Sequence, residues 1–273
     1  MLAHCIFLTE LVTINRCTQA PIACVRKRLF PIHPIFASVI YLWMEQHERH
    51  ARTLALPDFD QEALERLRKA HLLVVGAGGL GSATLPLLAA QEVGQIDIID
   101  PDSVSLSNLP RQLLYCEREC GQEKAPLAAA RAEALNPSGR VRAFTERLDD
   151  GWLTGRGGDY DLVVDCTDNF PTRTLLDHFC ATHHLPLVWG AVEGYIGQVT
   201  FLHGRRDISL GDLFGELPKT RPLAEGVYPP LVQVVGGIMA GEALAWLALG
   251  EASLDGVLCV YDARKVVMGR YEL

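Results

Sequence analysis

The chain has 273 residues, a length that suits one large α/β domain or a domain with appendages, and 49% of them are apolar, ample for a continuous core. Lys+Arg 25 against Asp+Glu 33 gives a net charge of −8, which argues against nucleic acid as the main partner because backbone binding needs a basic face. The eight cysteines include no C-x-x-C pair, so they read as reduced cytosolic thiols, mostly buried, and the expected location is the cytoplasm.

Residues 1–43 differ in character from the rest of the chain. They carry three cysteines, the basic run Arg26-Lys27-Arg28 and the apolar segment Ile35–Trp43. A basic patch before an apolar run is the order of a signal peptide. This run is well short of the ~20 residues that span a bilayer, and no small-residue cleavage site comes after it. The favoured reading is a poorly ordered upstream stretch read from a misassigned start, with the functional protein opening at Met44 and running over 44–273. Weak membrane association is the alternative; stable insertion is not expected.

From Arg49 onward, short β-like runs alternate with helical segments, the mark of a parallel α/β sheet. Gln61–Lys69 is charged at helical spacing and leads into the first strand. The expected strands are 72–75, 96–99, 141–144, 162–165, 187–189, 198–202 and 257–261. Helices are expected near 80–93, 123–135 and 170–184, the second of them closed by Asn136-Pro137-Ser138-Gly139. His203 to Pro230 has no clear period and reads as one long crossover loop, the kind that tends to cover a site. Leu231–Leu249 is almost wholly apolar, but Gln233, Glu242 and three glycines interrupt it; a helix in the core or at a subunit interface is expected rather than a membrane span.

Chemistry concentrates at the strand ends. Gly76-x-Gly78-x-x-Gly81 follows the first strand, where glycines let the backbone approach a phosphate at a helix N-terminus. Asp100 stands about 20 residues on, where an acid accepts hydrogen bonds from ribose hydroxyls. Those features alone fit a nicotinamide or flavin site equally well. Asn108, Arg111 and Gln112 lie just beyond the second strand, and Lys124 opens a helix. Their cations can neutralise charge on a transferring phosphoryl group and its leaving pyrophosphate, which points to a triphosphate. Asp168, past the fourth strand, is placed to hold Mg²⁺ bridging ATP oxygens. An Asp there can also simply cap the following helix, and with Asn169 adjacent both roles can coexist.

In combination these motifs resemble the adenylyltransferase family of molybdopterin and thiamine biosynthesis, relatives of the ubiquitin-activating enzymes. The resemblance runs from about residue 48 to the C-terminus: Arg49-His50-Ala51-Arg52, the GAGGLG turn, Asp100 and Asp102, LSNLPRQ at 106–112, Lys124, DCTDNFPTR at 165–173 and Tyr261-Asp262-Ala263. It implies a Rossmann-like, mostly parallel sheet flanked by helices, with a crossover loop and C-terminal strands. It implies a homodimer that binds ATP and Mg²⁺ and adenylates the C-terminal carboxylate of a small ubiquitin-like sulfur carrier. Carried over, Gly79, Asp100, Ser107, Asn108, Leu109, Pro110, Arg111, Lys124, Asp168 and Asn169 would line the ATP site. Arg52 would reach into the partner subunit's site.

The chain departs from that pattern in places. Many relatives carry a structural zinc on two C-x-x-C pairs. Here Ser209-Leu210-Gly211-Asp212 stands in place of the first pair and no second pair occurs before Leu273, so no zinc is expected. The stretch 219–226 has no thiol, which leaves adenylation alone as the expected activity. Cys116, Cys120 and Cys166 read as packing thiols, and Pro110 stands where relatives often have Gln. Three other readings stay open: a dinucleotide-dependent oxidoreductase, a non-catalytic partner subunit of an activating enzyme, and ATP-driven dehydration of a tRNA base.

Overall fold

The computed structural model describes residues 48–156, 158–215 and 226–273. The expected extension over 1–43 and most of the thiol-free stretch 219–226 lie outside the described residues. The chain divides into two units, 1–53 and 54–273. Of the first, only residues 48–53 are described, and they open with a helical turn over 48–50.

The second unit is an α/β sheet wrapped by helices. Helix α1 (Gln61–Lys69) starts where Asp60 accepts a hydrogen bond from the Ala63 amide at 2.8 Å, and it buries Ala63, Leu64 and Leu67. Then come β1 (His71–Val75), α2 (Gly79–Ala90), β2 (Gln95–Ile99), α3 (Lys124–Leu135), β3 (Arg140–Phe144) and the short α4 (Asp150–Leu153). The chain continues through β4 (Leu162–Asp165), α5 (Phe170–His183), β5 (Leu187–Glu193), β6 (Ile196–Leu202), α6 (Leu210–Phe214), α7 (Pro229–Leu249), β7 (Val257–Asp262) and β8 (Val267–Glu272). Eight strands form one sheet in the order β3-β2-β1-β4-β5-β6-β7-β8. The first five are parallel and the rest antiparallel.

Side chains alternate across the parallel strands, so the sheet has a core on each face. Leu72, Val74, Ile96 and Ile98 join residues of α2, α3 and α7 on one side. Leu73, Val75, Ile99 and Val163 join Leu176 and Phe179 of α5 on the other. Helix α7 is long and apolar enough to cross a membrane, yet it lies against α2 and the sheet, with Leu231, Val232, Val235, Met239 and Ala243 buried. It packs against the core, one of the two placements its interrupted composition allowed.

The structure extends the expected strands in two places. β5 and β6 run on into a hairpin around Gly194 (φ +54), through Gly190 and Gly197. Those glycines depress strand propensity but are required by α7: a Cβ on Gly197 would sit 2.3 Å from Val235 Cγ2. β8 is exposed along nearly all its length, so it lacks the alternation that marks a strand. Inside the expected long loop, Ser209 and Asp212 form a reciprocal capping box that starts α6.

The helix that succeeds the glycine turn comes close to the turn itself. Gly76 has φ +95, and a Cβ on Gly81 would lie 2.2 Å from the Gly76 carbonyl oxygen. Alanine in a helix normally gains stability over glycine. Here the clash is with backbone, so Gly81→Ala is expected to destabilise the fold by about 1–3 kcal/mol, the usual cost of overpacking. Urea denaturation of the two proteins checks this; a stabilised variant would contradict it.

Candidate active site

A cavity of about 1260 Å³ opens at the carboxyl ends of the parallel strands. It sits where the strand order turns outward on either side of β1 and β4, the place where open α/β sheets bind ligands. Gly76, Gly78 and Gly79 line it. Gly78 is the N-cap of α2 and offers no side-chain cap, so the first amides of this helix are left for a ligand. Its φ is ordinary, and a Cβ would meet nothing closer than Gln112 Nε2 at 3.6 Å. Packing therefore does not demand glycine at 78. Gly81 lines no part of the cavity, and its requirement is the contact between helix and turn.

Asp100 directly follows β2 and is buried. Its Oδ2 accepts from the Ala77 amide at 2.7 Å and its Oδ1 from the Asp102 amide at 2.8 Å. Burial pushes the carboxyl above the usual carboxylate range, against the pull of those two amides. A carboxylate has about four acceptor positions, so two remain for ribose hydroxyls.

The segment after β2 turns back over this acid. A 3₁₀ turn at Leu106–Asn108 is fixed by the Ser105 amide donating to Asn108 Oδ1 at 3.1 Å. Arg111 Nη1 donates to the Ser107 carbonyl at 2.9 Å, which steadies the guanidinium at the cavity wall. Asn108, Arg111 and Gln112 line the cavity, whereas Ser107, Leu109 and Pro110 belong to the turn that presents them. Gln112 is buried and its Oε1 has no hydrogen-bond partner. Lys124, the first residue of α3, is buried with Nζ 3.0 Å from Asp102 Oδ2.

On the far side, β4 delivers Asp168 and Asn169 to the same cavity. Asn169 is the cap of α5: its Oδ1 accepts from the Thr172 amide at 3.0 Å and from Thr172 Oγ1 at 2.8 Å. The capping role thus falls to Asn169, and the Asp168 side chain is exposed at the cavity. Among the described residues no group of three or more His, Cys, Asp or Glu could hold a metal ion. Mg²⁺ in nucleotide sites commonly takes one or two carboxylates and completes its shell with phosphate oxygens and water. Asp168 fits that role.

Two contributors were not singled out from sequence. Arg173, one turn beyond Asn169, is buried, donates from Nη2 to the carbonyls of Thr167 (2.8 Å) and Gly190 (3.3 Å), and lies 5.2 Å from the Trp189 ring. It ties the loop after β4 to β5, and its only sequence signal was its place at the end of DCTDNFPTR. The second is α6, whose Leu210 and Phe214 form part of the wall. Asp177 of α5 anchors it, accepting from the Leu210 amide at 3.0 Å and pairing with His203 Nε2 at 2.8 Å. Burial would lower the His203 imidazole, but Asp177 and Asp207 outweigh it and hold it above its ordinary value.

Cys166 also borders the cavity, but burial pushes its thiol far up, so it is not a thiolate near neutral pH. Cys116 is half-buried and Cys120 exposed. Arg52 belongs to the first unit and is exposed.

The cavity joins a glycine turn, a buried acid, the cations Arg111 and Lys124, and Asp168. Comparisons with known proteins place the chain among its relatives. The chain is 40% identical over 228 residues to a sulfur carrier protein adenylyltransferase of Thermus thermophilus, a match covering 80% of this chain and 84% of the relative. It is 39% identical over 219 residues to a molybdopterin-synthase adenylyltransferase of Salmonella typhimurium, covering 79% and 88%. The crystal structure of selenomethionine PaaA shares the fold with a TM-score of 0.71 at 21% identity, over 84% of this chain and 73% of that one. The ThiF family profile matches residues 50–271, and the chain belongs to the ThiF family.

Proposed function

We propose that this protein uses ATP and Mg²⁺ to adenylate the C-terminal carboxylate of a small ubiquitin-like sulfur carrier, of the thiamine or the molybdopterin type. The observation that carries the reading is convergence. Residues separated by up to 92 positions, from Gly76 to Asp168, meet at one cavity with the charges that reaction needs.

The chemistry follows from electrostatics. A carboxylate oxygen attacks the α-phosphorus, and the bond to the bridging oxygen breaks. Pyrophosphate leaves with the electron pair, and an acyl-adenylate remains. Two anions must meet, so the site has to supply positive charge. In this reading Asp100 takes the ribose, the α2 N-terminus and Arg111 take phosphate oxygens, and Lys124 faces the charge that builds on the leaving group. Mg²⁺, held at Asp168, would neutralise β- and γ-phosphate charge when bound. The carrier's carboxylate is already ionised near pH 7, so no general base is required.

The partner's size also has support. Exposed Ile196 of β6 lines the cavity, and exposed Val267 of β8 stands level with it across Asp262 of β7; an exposed apolar face next to a cleft suits a folded protein substrate. The homodimer is part of the proposal, with Arg52 reaching the other subunit's triphosphate.

The test is ATP–pyrophosphate exchange with purified candidate carriers. Exchange that requires both a carrier with a free C-terminus and Mg²⁺ is the expected result. Binding of NAD, with no exchange for any carrier, would instead support the oxidoreductase reading.

A further inference from the structure

The buried ammonium of Lys124 rests against a carboxylate, not in open space. Lys124 Nζ lies 3.0 Å from Asp102 Oδ2, the lysine side chain only 5% exposed and the aspartate 63% exposed. The contact is doubled through the main chain, where the Lys124 amide donates to the Asp102 carbonyl at 2.9 Å. Asp102 is in turn fixed from behind: its amide donates to Asp100 Oδ1, and Asp100 Oδ2 holds the Ala77 amide of the glycine turn. One chain of hydrogen bonds therefore links the phosphate turn, the ribose acid and the cation.

From this we infer that Asp102 is a positioning residue for the reaction: it fixes the Lys124 ammonium at the cavity wall, ready for charge on the leaving pyrophosphate. The inference rests on the adenylation reading and deepens it. A buried ammonium without a counter-charge is costly and tends to neutralise or move. A flexible lysine stem gives no fixed geometry of its own. Catalysis by a cation depends on its being in place before charge develops, and a tethered ammonium meets that condition where a loose one does not. The mostly exposed carboxylate leaves room for phosphate oxygens to join the pair.

The role predicts a particular kinetic signature. Asp102→Asn should lower kcat for carrier-dependent pyrophosphate exchange by about tenfold or more, within the range of a lost preorganised contact. ATP affinity by titration calorimetry should change by less than about threefold. Loss of a negative charge beside the phosphates does not weaken ground-state binding, whereas a structural lesion weakens both. Asp102→Glu should recover most of the lost rate. In a Lys124→Ala background, Asp102→Asn should have no further effect, because the pair acts as one unit. Additive losses in that double-mutant cycle, or a kcat for Asp102→Asn within about twofold of wild type, would overturn the assignment while adenylation stood. Absence of exchange in the wild-type protein with every carrier would instead remove the adenylation reading, and this inference with it.

Discussion

Asp168→Ala is expected to lower ATP–pyrophosphate exchange by roughly 10³-fold, at the upper end of what one preorganised electrostatic group contributes, while the protein stays folded. Its side chain is exposed at the cavity and the cap of α5 is Asn169, so the truncation removes neither a core contact nor the helix start. A carboxylate that only shaped the loop would give a different result, a lowered melting temperature with near-normal exchange. Asp168→Asn sharpens the comparison because it keeps shape and polarity but not charge. Near-normal exchange in either variant would take Asp168 out of the mechanism.

The largest stability effect is expected at Asp97, which does not border the cavity. It is fully buried, accepting from Arg142 Nε at 2.7 Å and Tyr160 Oη at 3.0 Å, with His71 Nε2 at 3.2 Å. Burial alone would raise its pKa, but hydrogen bonds from His71, Arg142 and Tyr160 hold it well below the usual carboxylate range. Removing one partner of such a cluster strands the others, so Asp97→Ala should cost about 3–5 kcal/mol. The pH dependence has a definite sign. A carboxyl whose folded pKa is depressed stabilises the protein above its unfolded value, near 3.9. That contribution fades as pH falls below this value toward the folded one. Urea denaturation from pH 7 to pH 3 should show a loss in wild type that Asp97→Ala lacks in part; parallel curves would contradict the argument.

Much of this could be read from residue order. Short apolar runs such as Leu72–Val75 and Leu162–Asp165 are buried on both faces, so their composition alone announced parallel strands. Asn108, Arg111, Gln112 and Lys124 drew attention because amides and cations just past a strand end have little structural reason to be there. What stayed hidden depended on tertiary partners. Gly190 and Gly197 reveal their purpose only once α7 lies across the sheet. β8 carries no buried face to pattern it. Asp102 stands in the sequence motif beside Asp100 with no role of its own until Lys124 is seen against it. The glycines of the turn looked alike in sequence, yet a Cβ at Gly81 would strike backbone and one at Gly78 would not, a distinction only distances can make.

The chemistry stands or falls on a covalent product. Incubated with ATP, Mg²⁺ and a panel of sulfur carriers, the protein should yield a carrier whose intact mass has risen by one AMP less water, with the increment confined to carriers ending in a free carboxylate. A panel that keeps its original masses, under conditions where the protein demonstrably binds ATP, would contradict the account.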